Sequence, residues 1–293
     1  MPSIHPSSVV EPGCTLDESV EIGPFCQVKG GVRLGPGVRL MGHNYVWGPG
    51  EIRAGTTLYP FATVGLPPQH TRWSETDEVG GFLLGENVIV REQATVHTAW
   101  KTERPTTVGD GCFLMVACHI GHDVLLGRNV TVCNNAQVSG HAEVGDNVYI
   151  SGPSGIHQFV RIGRLAMVSG ISACSMDVPP FCILDGRNAL GGINLIGMRR
   201  AGIDRKDITA VRNAYVRGIR SGAGRNELQA IFDELGETSP AVKEMAVFVR
   251  ASTRGIVPGD GRPRPSTRSY LRRWFKMRDG VDELATVDED AGL

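Results

Sequence analysis

Residues 108–168 read VGDGCFLMVACHIGHDVLLGRNVTVCNNAQVSGHAEVGDNVYISGPSGIHQFVRIGRLAMV, and every sixth residue is Val, Leu or Ile. The series is Val108, Leu114, Ile120, Leu126, Val132, Val138, Val144, Ile150, Ile156, Ile162 and Val168. The same beat runs from Ile4 to Val64 and returns at Leu84, Val90 and Val96. With 41% of the chain hydrophobic, a run of eleven such hits arises by chance roughly once in ten thousand or less often. A helix repeats at about 3.6 residues and a strand at about 2. Six is the period of a parallel β-helix, one flat side and one turn per hexapeptide. The fold class is therefore mainly β, a parallel β-helix over about residues 1–190.

Two stretches interrupt the beat, at about 65–83 and 97–107; the first shifts the phase by two residues and the second preserves it. Polar excursions from a rigid scaffold are where binding groups tend to sit. Pro179-Pro180 is expected to stop the pattern, since neither residue can donate to a ladder. From Asp204 the period turns helical: Ile208, Val211, Tyr215 and Ile219 form one face, and Leu228, Ile231, Phe232 and Leu235 a second. Ser239-Pro240 starts a third helix carrying Val242, Met245 and Val249. Residues 191–256 thus read as a small helical domain that caps the solenoid's open edge. Residues 257–293 are a basic–aromatic stretch (YLRRWFKMRDG) followed by an acidic end, expected to be partly disordered.

The formal net charge is −1, which argues against nucleic acid as a partner. No run of apolar residues is long enough for a transmembrane segment, and the N-terminus lacks the pattern of a secretory signal. Seven cysteines without paired spacing fit a reducing, cytoplasmic setting; Cys112 and Cys118 read as small packing residues. The 38 glycines suit a fold of recurrent tight corners.

Three hexapeptides make one coil, so residues eighteen apart stack at about the 4.8 Å strand spacing. His122 then lies under Gly140, and Gly140 under Gln158. Asp123 lies under His141, and Gly121 under Ser139 and His157. Five of the eight histidines fall between 97 and 157. A neutral imidazole can take a proton from an attacking hydroxyl, a neighbouring carboxylate can hold its tautomer, and a bare glycine N–H can face an oxyanion. Hence His122, Asp123 and Gly140 form the catalytic candidate. Zinc shared between imidazoles is the competing use of such a corner, but His119 and His122 occupy different positions of one coil, and no metal is expected.

HIGHD at 119–123, SGH at 139–141, IHQF at 156–159, DVPPF at 177–181, GGINLIGMRRAG at 191–202 and ITAVRNAY at 208–215 resemble the UDP-N-acetylglucosamine O-acyltransferase family. The match spans residues 1 to about 256. The resemblance implies a left-handed β-helix, against the usual crossover hand, and transfer of an acyl group from acyl carrier protein to the 3-hydroxyl of UDP-N-acetylglucosamine, the first step of lipid A synthesis. It further implies a homotrimer with sites between subunits, and no cofactor beyond the acyl-phosphopantetheine that arrives as co-substrate. By the same resemblance His122 is the general base, Asp123 its partner and Gly140 the oxyanion donor. Gln69, His119, His141, His157, Gln158, Asn194 and Arg200 match substrate-binding positions, and Gly170 one that helps set acyl length. Arg199, Arg200, Arg205, Lys206, Arg212, Arg217 and Arg220 could steer an acidic carrier.

The chain departs from the family at three places. Gln69-His70-Thr71-Arg72 replaces a Gln-Asp pair whose acid contacts an acyl 3-hydroxyl, Thr98-Ala99-Trp100 replaces Arg-Gly-Thr, and Ile196 replaces an acid near the nucleotide sugar. Acyl length and 3-hydroxylation therefore stay open. So do N-acylation of a 3-amino UDP-sugar by the same corner and a non-catalytic paralogue that binds the nucleotide sugar or the carrier.

Overall fold

The computed structural model describes residues 1–100 and 104–259; the basic–aromatic stretch read at 270–280 lies outside the described residues. Short strands, mostly of two or three residues, alternate with tight corners and stack into three sheets, one of eleven strands and two of nine, parallel except for the last strand of the eleven. Partners are eighteen residues apart through most of the solenoid, as in Ser3↔Glu21, His119↔Gln137 and Glu143↔Arg161. Every sixth aliphatic points inward: Ile120, Val132, Val138, Ile150 and Ile156 are all buried. A fully buried Ile or Leu contributes about 1.5–3 kcal/mol. Two positions before Leu114, Ile120, Val138 and Val144 sits a smaller residue, Cys112, Cys118, Ala136 and Ala142 in turn, also buried.

The corners place a residue in the left-handed region, whatever its type. Phe25, His43 and Phe61 adopt φ of 58°, 53° and 65°, and Asp123, His141 and Phe159 adopt 61°, 60° and 63°. Such residues stack above one another: Phe25, His43 and Phe61 form an exposed ladder with ring centroids 4.9 Å apart at each step.

The proline pair does not end the ladder, contrary to the sequence expectation. Cys182–Leu184 adds one more parallel strand beside Met167–Val168, with Met167 facing Ile183, and only then does the chain reverse through the antiparallel Leu190–Ile193. Pro179 and Pro180 lie in the corner, where no ladder donor is required, and the missing side chain of Gly163 makes room for Pro180.

Among the described residues four α-helices follow rather than three: α1 (Leu195–Arg200), α2 (Arg205–Ala214), α3 (Arg225–Gly236) and α4 (Pro240–Arg250). α1 is too short for a 3.6-residue period to register. Asn194 defines its start by accepting from Gly197 N–H at 2.9 Å. α2 runs on through a π-helical turn, Tyr215–Arg220, so that Val211, Tyr215 and Ile219 stay buried on one side. Ser239 caps α4 as read, its Oγ accepting from Val242 N–H. Arg164 ties α4 to the solenoid through Glu244, with a shortest contact of 2.7 Å. Ser252 hydroxyl donates to Asp177, closing the cap. No described helix is long and apolar enough to cross a membrane.

Candidate active site

One corner of the solenoid, between the two nine-stranded sheets, gathers the histidines. The strand His119–Ile120 leads into it and Leu125–Leu126 leads away. His141 N–H donates to His122 carbonyl at 3.0 Å, and Phe159 N–H to Gly140 carbonyl at 3.2 Å. These vertical bonds fix the layers that the eighteen-residue count placed together. His122 and Asp123 are buried, and His122 Nδ1 lies 2.7 Å from Asp123 Oδ2. A carboxylate only accepts, so Nδ1 carries the proton and Nε2 is left as the basic atom. That edge of the ring faces Gly140: a methyl built there would sit 2.8 Å from both Cε1 and Nε2 of His122. Glycine is therefore required for the ring to hold its place. Among the described residues nothing accepts from the Gly140 N–H.

Both excursions leave from this same corner and fold against it, which periodicity could not show. Thr63–Leu66 leads into the first and Val79–Leu84 returns; Thr95–His97 leads into the second and Thr106–Val108 returns. Ala99–Trp100 pairs antiparallel with Val79–Leu84, so the excursions form one small ribbon. Trp100 N–H donates to both carboxylate oxygens of Asp123, at 3.1 and 3.2 Å. The Asp123 N–H donates to Thr106 Oγ1 at 2.8 Å. His70 packs between Trp100 and His122, with ring centroids 4.3 and 5.8 Å away.

Three nearby imidazoles are held below their ordinary pKa. Burial, with His97 and His122 alongside, holds His119 down to about 4, while its Nδ1 meets Thr95 Oγ1 at 2.8 Å. His97 is lowered by burial, partly opposed by its 2.6 Å contact with Pro67 carbonyl. Burial lowers His141 too, with Asp123 pulling the other way. His97, His119 and His141 thus stand near the His122–Asp123 pair as imidazoles whose neutral form is favoured.

Not every sequence candidate converges here. His122, Asp123, Gly140, His119 and His141 come together. His157 and Gln158 are exposed on the coil above, and His157 borders a groove of about 310 Å³ with Ser139, Ser175 and Arg187. Gln69 is exposed beside His70. Gly170 belongs to a different corner, between the eleven-stranded sheet and the strand Ala173–Cys174, with Gly152 carbonyl against it. Asn194 and Arg200 belong to α1: Asn194 caps the helix and donates to Leu165 carbonyl at 2.9 Å, and Arg200 is exposed in the last turn. Arg217 of the basic group is already paired with Glu234. His70, Thr95, His97, Trp100 and Thr106 were not read as site residues. Thr95 and Thr106 sit at excursion roots that the ladder carries to this corner, through Thr95↔His119 and Thr107↔Leu125, whereas His70 and Trp100 lie inside the excursions, where no such count applies.

For a metal, His122, Asp123 and His141 offer ligand atoms within 4.8 Å of one another. His119, the sequence-level candidate for a shared ion, is not in that set. Within it His122 Nδ1 and Asp123 Oδ2 are joined by a hydrogen bond, and His141 Nε2 stands 3.7 Å from Asp123 Oδ2. The donor set reads as a hydrogen-bonded dyad with a neighbouring imidazole.

A family model described as UDP N-acetylglucosamine O-acyltransferase, domain 2, matches residues 177–257. Over 263 residues the chain is 39% identical to the acyl-[acyl-carrier-protein]–UDP-N-acetylglucosamine O-acyltransferase of Burkholderia lata, covering 88% of this chain and 100% of that one. The chain belongs to the UDP-N-acetylglucosamine O-acyltransferase family. The relative of the same name from Campylobacter concisus is 35% identical, over 89% of this chain and 100% of its own. Among solved members of the family, the Moraxella catarrhalis enzyme superposes with a TM-score of 0.83 at 32% identity, covering 87% of this chain and 99% of that one. The Francisella novicida acyltransferase gives 0.84 at 27% identity, over 91% and 96%. Membership in this acyltransferase family brings with it the left-handed winding of the β-helix.

Proposed function

We propose that this protein transfers a fatty acyl group from acyl carrier protein to the 3-hydroxyl of UDP-N-acetylglucosamine, the opening step of lipid A synthesis, with His122 as general base. The observation that carries the reading is the dyad: Nδ1–H of His122 bound to Asp123 and its Nε2 edge open against the bare backbone of Gly140. Family membership supplies the substrates.

The chemistry follows from those positions. Nε2 of His122 removes the proton of the sugar hydroxyl as its oxygen attacks the thioester carbonyl. Asp123 stabilises the imidazolium that forms without itself taking the proton. The Gly140 N–H donates to the oxyanion. Collapse breaks the C–S bond, and the imidazolium returns its proton to the departing thiolate of the phosphopantetheine arm. The acyl-carrier thioester is a co-substrate, and no further cofactor enters.

The active form we infer is a homotrimer acting in the cytoplasm. Asn194, Arg200 and Gly170 lie at other corners of the chain than His122, so a site that uses all of them requires a second copy. The neutral imidazoles His119 and His141 would then bind substrate as hydrogen-bonding groups, and His157 and Gln158 would border it from the coil above.

The test is a mass-spectrometric transfer assay with UDP-N-acetylglucosamine and carrier thioesters, 3-hydroxylated and plain, of several lengths. Acylated sugar nucleotide from the wild type, lost in His122→Ala, is expected. An ester is cleaved by mild base and an amide is not, so the same product separates O- from N-acylation when a 3-amino sugar nucleotide is offered. No product from any donor with either acceptor would overturn the reading.

A further inference from the structure

We propose that Trp100 is a positioning residue for the His122–Asp123 pair, and that Asp77 acts on the pair through it. The inference rests on His122 being the base. Asp123 is held from both ends of the second excursion: Trp100 N–H grips its carboxylate, and Thr106 hydroxyl accepts from its backbone N–H. The Thr106 end belongs to the solenoid ladder, where Phe82↔Thr106 continues the parallel sheet. The Trp100 end does not. It lies in a two-residue strand that pairs, among the described residues, with the returning arm of the first excursion, and a ribbon of that length is marginal by itself.

The Trp100 side chain supplies what the ribbon lacks. The residue is buried, its ring packs on His70, and its indole Nε1–H donates to Asp77 Oδ2 at 3.3 Å. Asp77 is fixed in turn: the same oxygen accepts from Ser74 N–H at 3.2 Å, and Asp77 N–H donates to Ser74 carbonyl at 2.8 Å. A chain of contacts thus runs from a surface turn, through Asp77 and the indole, to the backbone N–H on Asp123, and from Asp123 to His122 Nδ1. Asp123 can orient the imidazole only while its own carboxylate is oriented. The indole also sets where His70 stands against His122. Asp77 reaches none of the reacting groups directly, which makes it the residue to perturb.

The test uses full-length protein with Trp100→Phe, Asp77→Ala, Asp77→Asn and the Trp100→Phe/Asp77→Ala double variant. Each of Trp100→Phe and Asp77→Ala should lower kcat about tenfold with KM within about twofold. The double variant should be no worse than either single change, since both remove one link. Asp77→Asn keeps an acceptor oxygen for the indole and should recover most of kcat. Independently of substrate, the hydrogen-bonded Nδ1 proton of His122, followed by NMR in 15N-histidine-labelled protein, should be sharp in the wild type and in Asp77→Asn. It should be lost to exchange in Trp100→Phe and Asp77→Ala. An unchanged proton in both of these variants, multiplying effects in the double variant, or a rise in KM alone would overturn the proposal. A wild type that transfers nothing while the proton behaves as expected would instead count against the assigned reaction. Should Trp100→Phe fail to fold, the two Asp77 variants decide the matter alone.

Discussion

Two corner ladders of this solenoid have the same geometry and different chemistry. Phe25, His43 and Phe61 stack at eighteen-residue spacing with left-handed φ, and so do Asp123, His141 and Phe159, where His141 lies 4.5 Å from Phe159 with rings 4° from parallel. Each ladder contains an imidazole. The first is open to solvent and has no carboxylate among its rungs. The second has Asp123 at its foot, the buried His122 beside it and two excursions folded against it. A histidine at a β-helix corner is therefore a product of the repeat; a reactive one needs a partner for its Nδ1 and a cover that excludes water.

The contrast is broken most severely at the base. His122→Ala should lower kcat by about 10²–10⁴-fold, whereas His43→Ala should leave the transfer assay within about twofold. If both changes are equally harmful, the ladders differ less than their surroundings suggest. Gly140→Ala comes next, because the new methyl would lie 2.8 Å from His122 Nε2. A displaced base should cost on the order of 10–100-fold in kcat, with the thermal midpoint falling far less than that loss implies.

Acid sharpens the comparison through stability. His119 is held at about 4 against an ordinary 6.5, so as pH falls the unfolded chain takes up its proton before the folded one does. Stability present above pH 6.5 is lost progressively down to about pH 4, on the order of 2–3 kcal/mol from this group. His97 and His141 act in the same direction. Thermal melts from pH 7 to 4.5 should therefore fall more steeply in the wild type than in His119→Asn; equal slopes would contradict the assignment. The smallest effect compares the outer rungs. Phe61→Ala and Phe159→Ala each remove one stacked ring worth about 0.5–1.5 kcal/mol and should lower the melting midpoint by a similar few degrees. Only Phe159→Ala, through His141, should also reduce turnover, by a few-fold.

What the sequence revealed follows the same divide. Inside the solenoid, side chains have addresses: a count of eighteen put His122 beneath Gly140 and Asp123 beneath His141, and the vertical hydrogen bonds bear that out. The excursions have no such count. Nothing in the order Gln69-His70-Thr71 says that His70 returns to lie against His122, and Trp100 drew notice only as a departure from the family pattern. Its backbone N–H, the group that matters to Asp123, carries no sequence signature at all. The proline pair misled for a related reason, since a proline stops a ladder only where a ladder donor is needed, and here both prolines fall in a corner. α1 escaped because its hydrogen-bonding start at Asn194 is local while its six residues are too few to show a period.

The register across the interruptions has a consequence for how such a site can change. Ile52 stacks on Leu84 and Leu84 on Val108, as neatly as residues eighteen apart do elsewhere. Apart from an irregularity at Val64–Leu66, the coil closes below and above each insertion in the register of the ladder. The pieces that cover the corner are in this sense interchangeable cassettes. A lineage can rewrite their length and residues, and with them what the pocket accepts, while the ladder that carries His122 keeps its register, so long as a backbone N–H still meets Asp123.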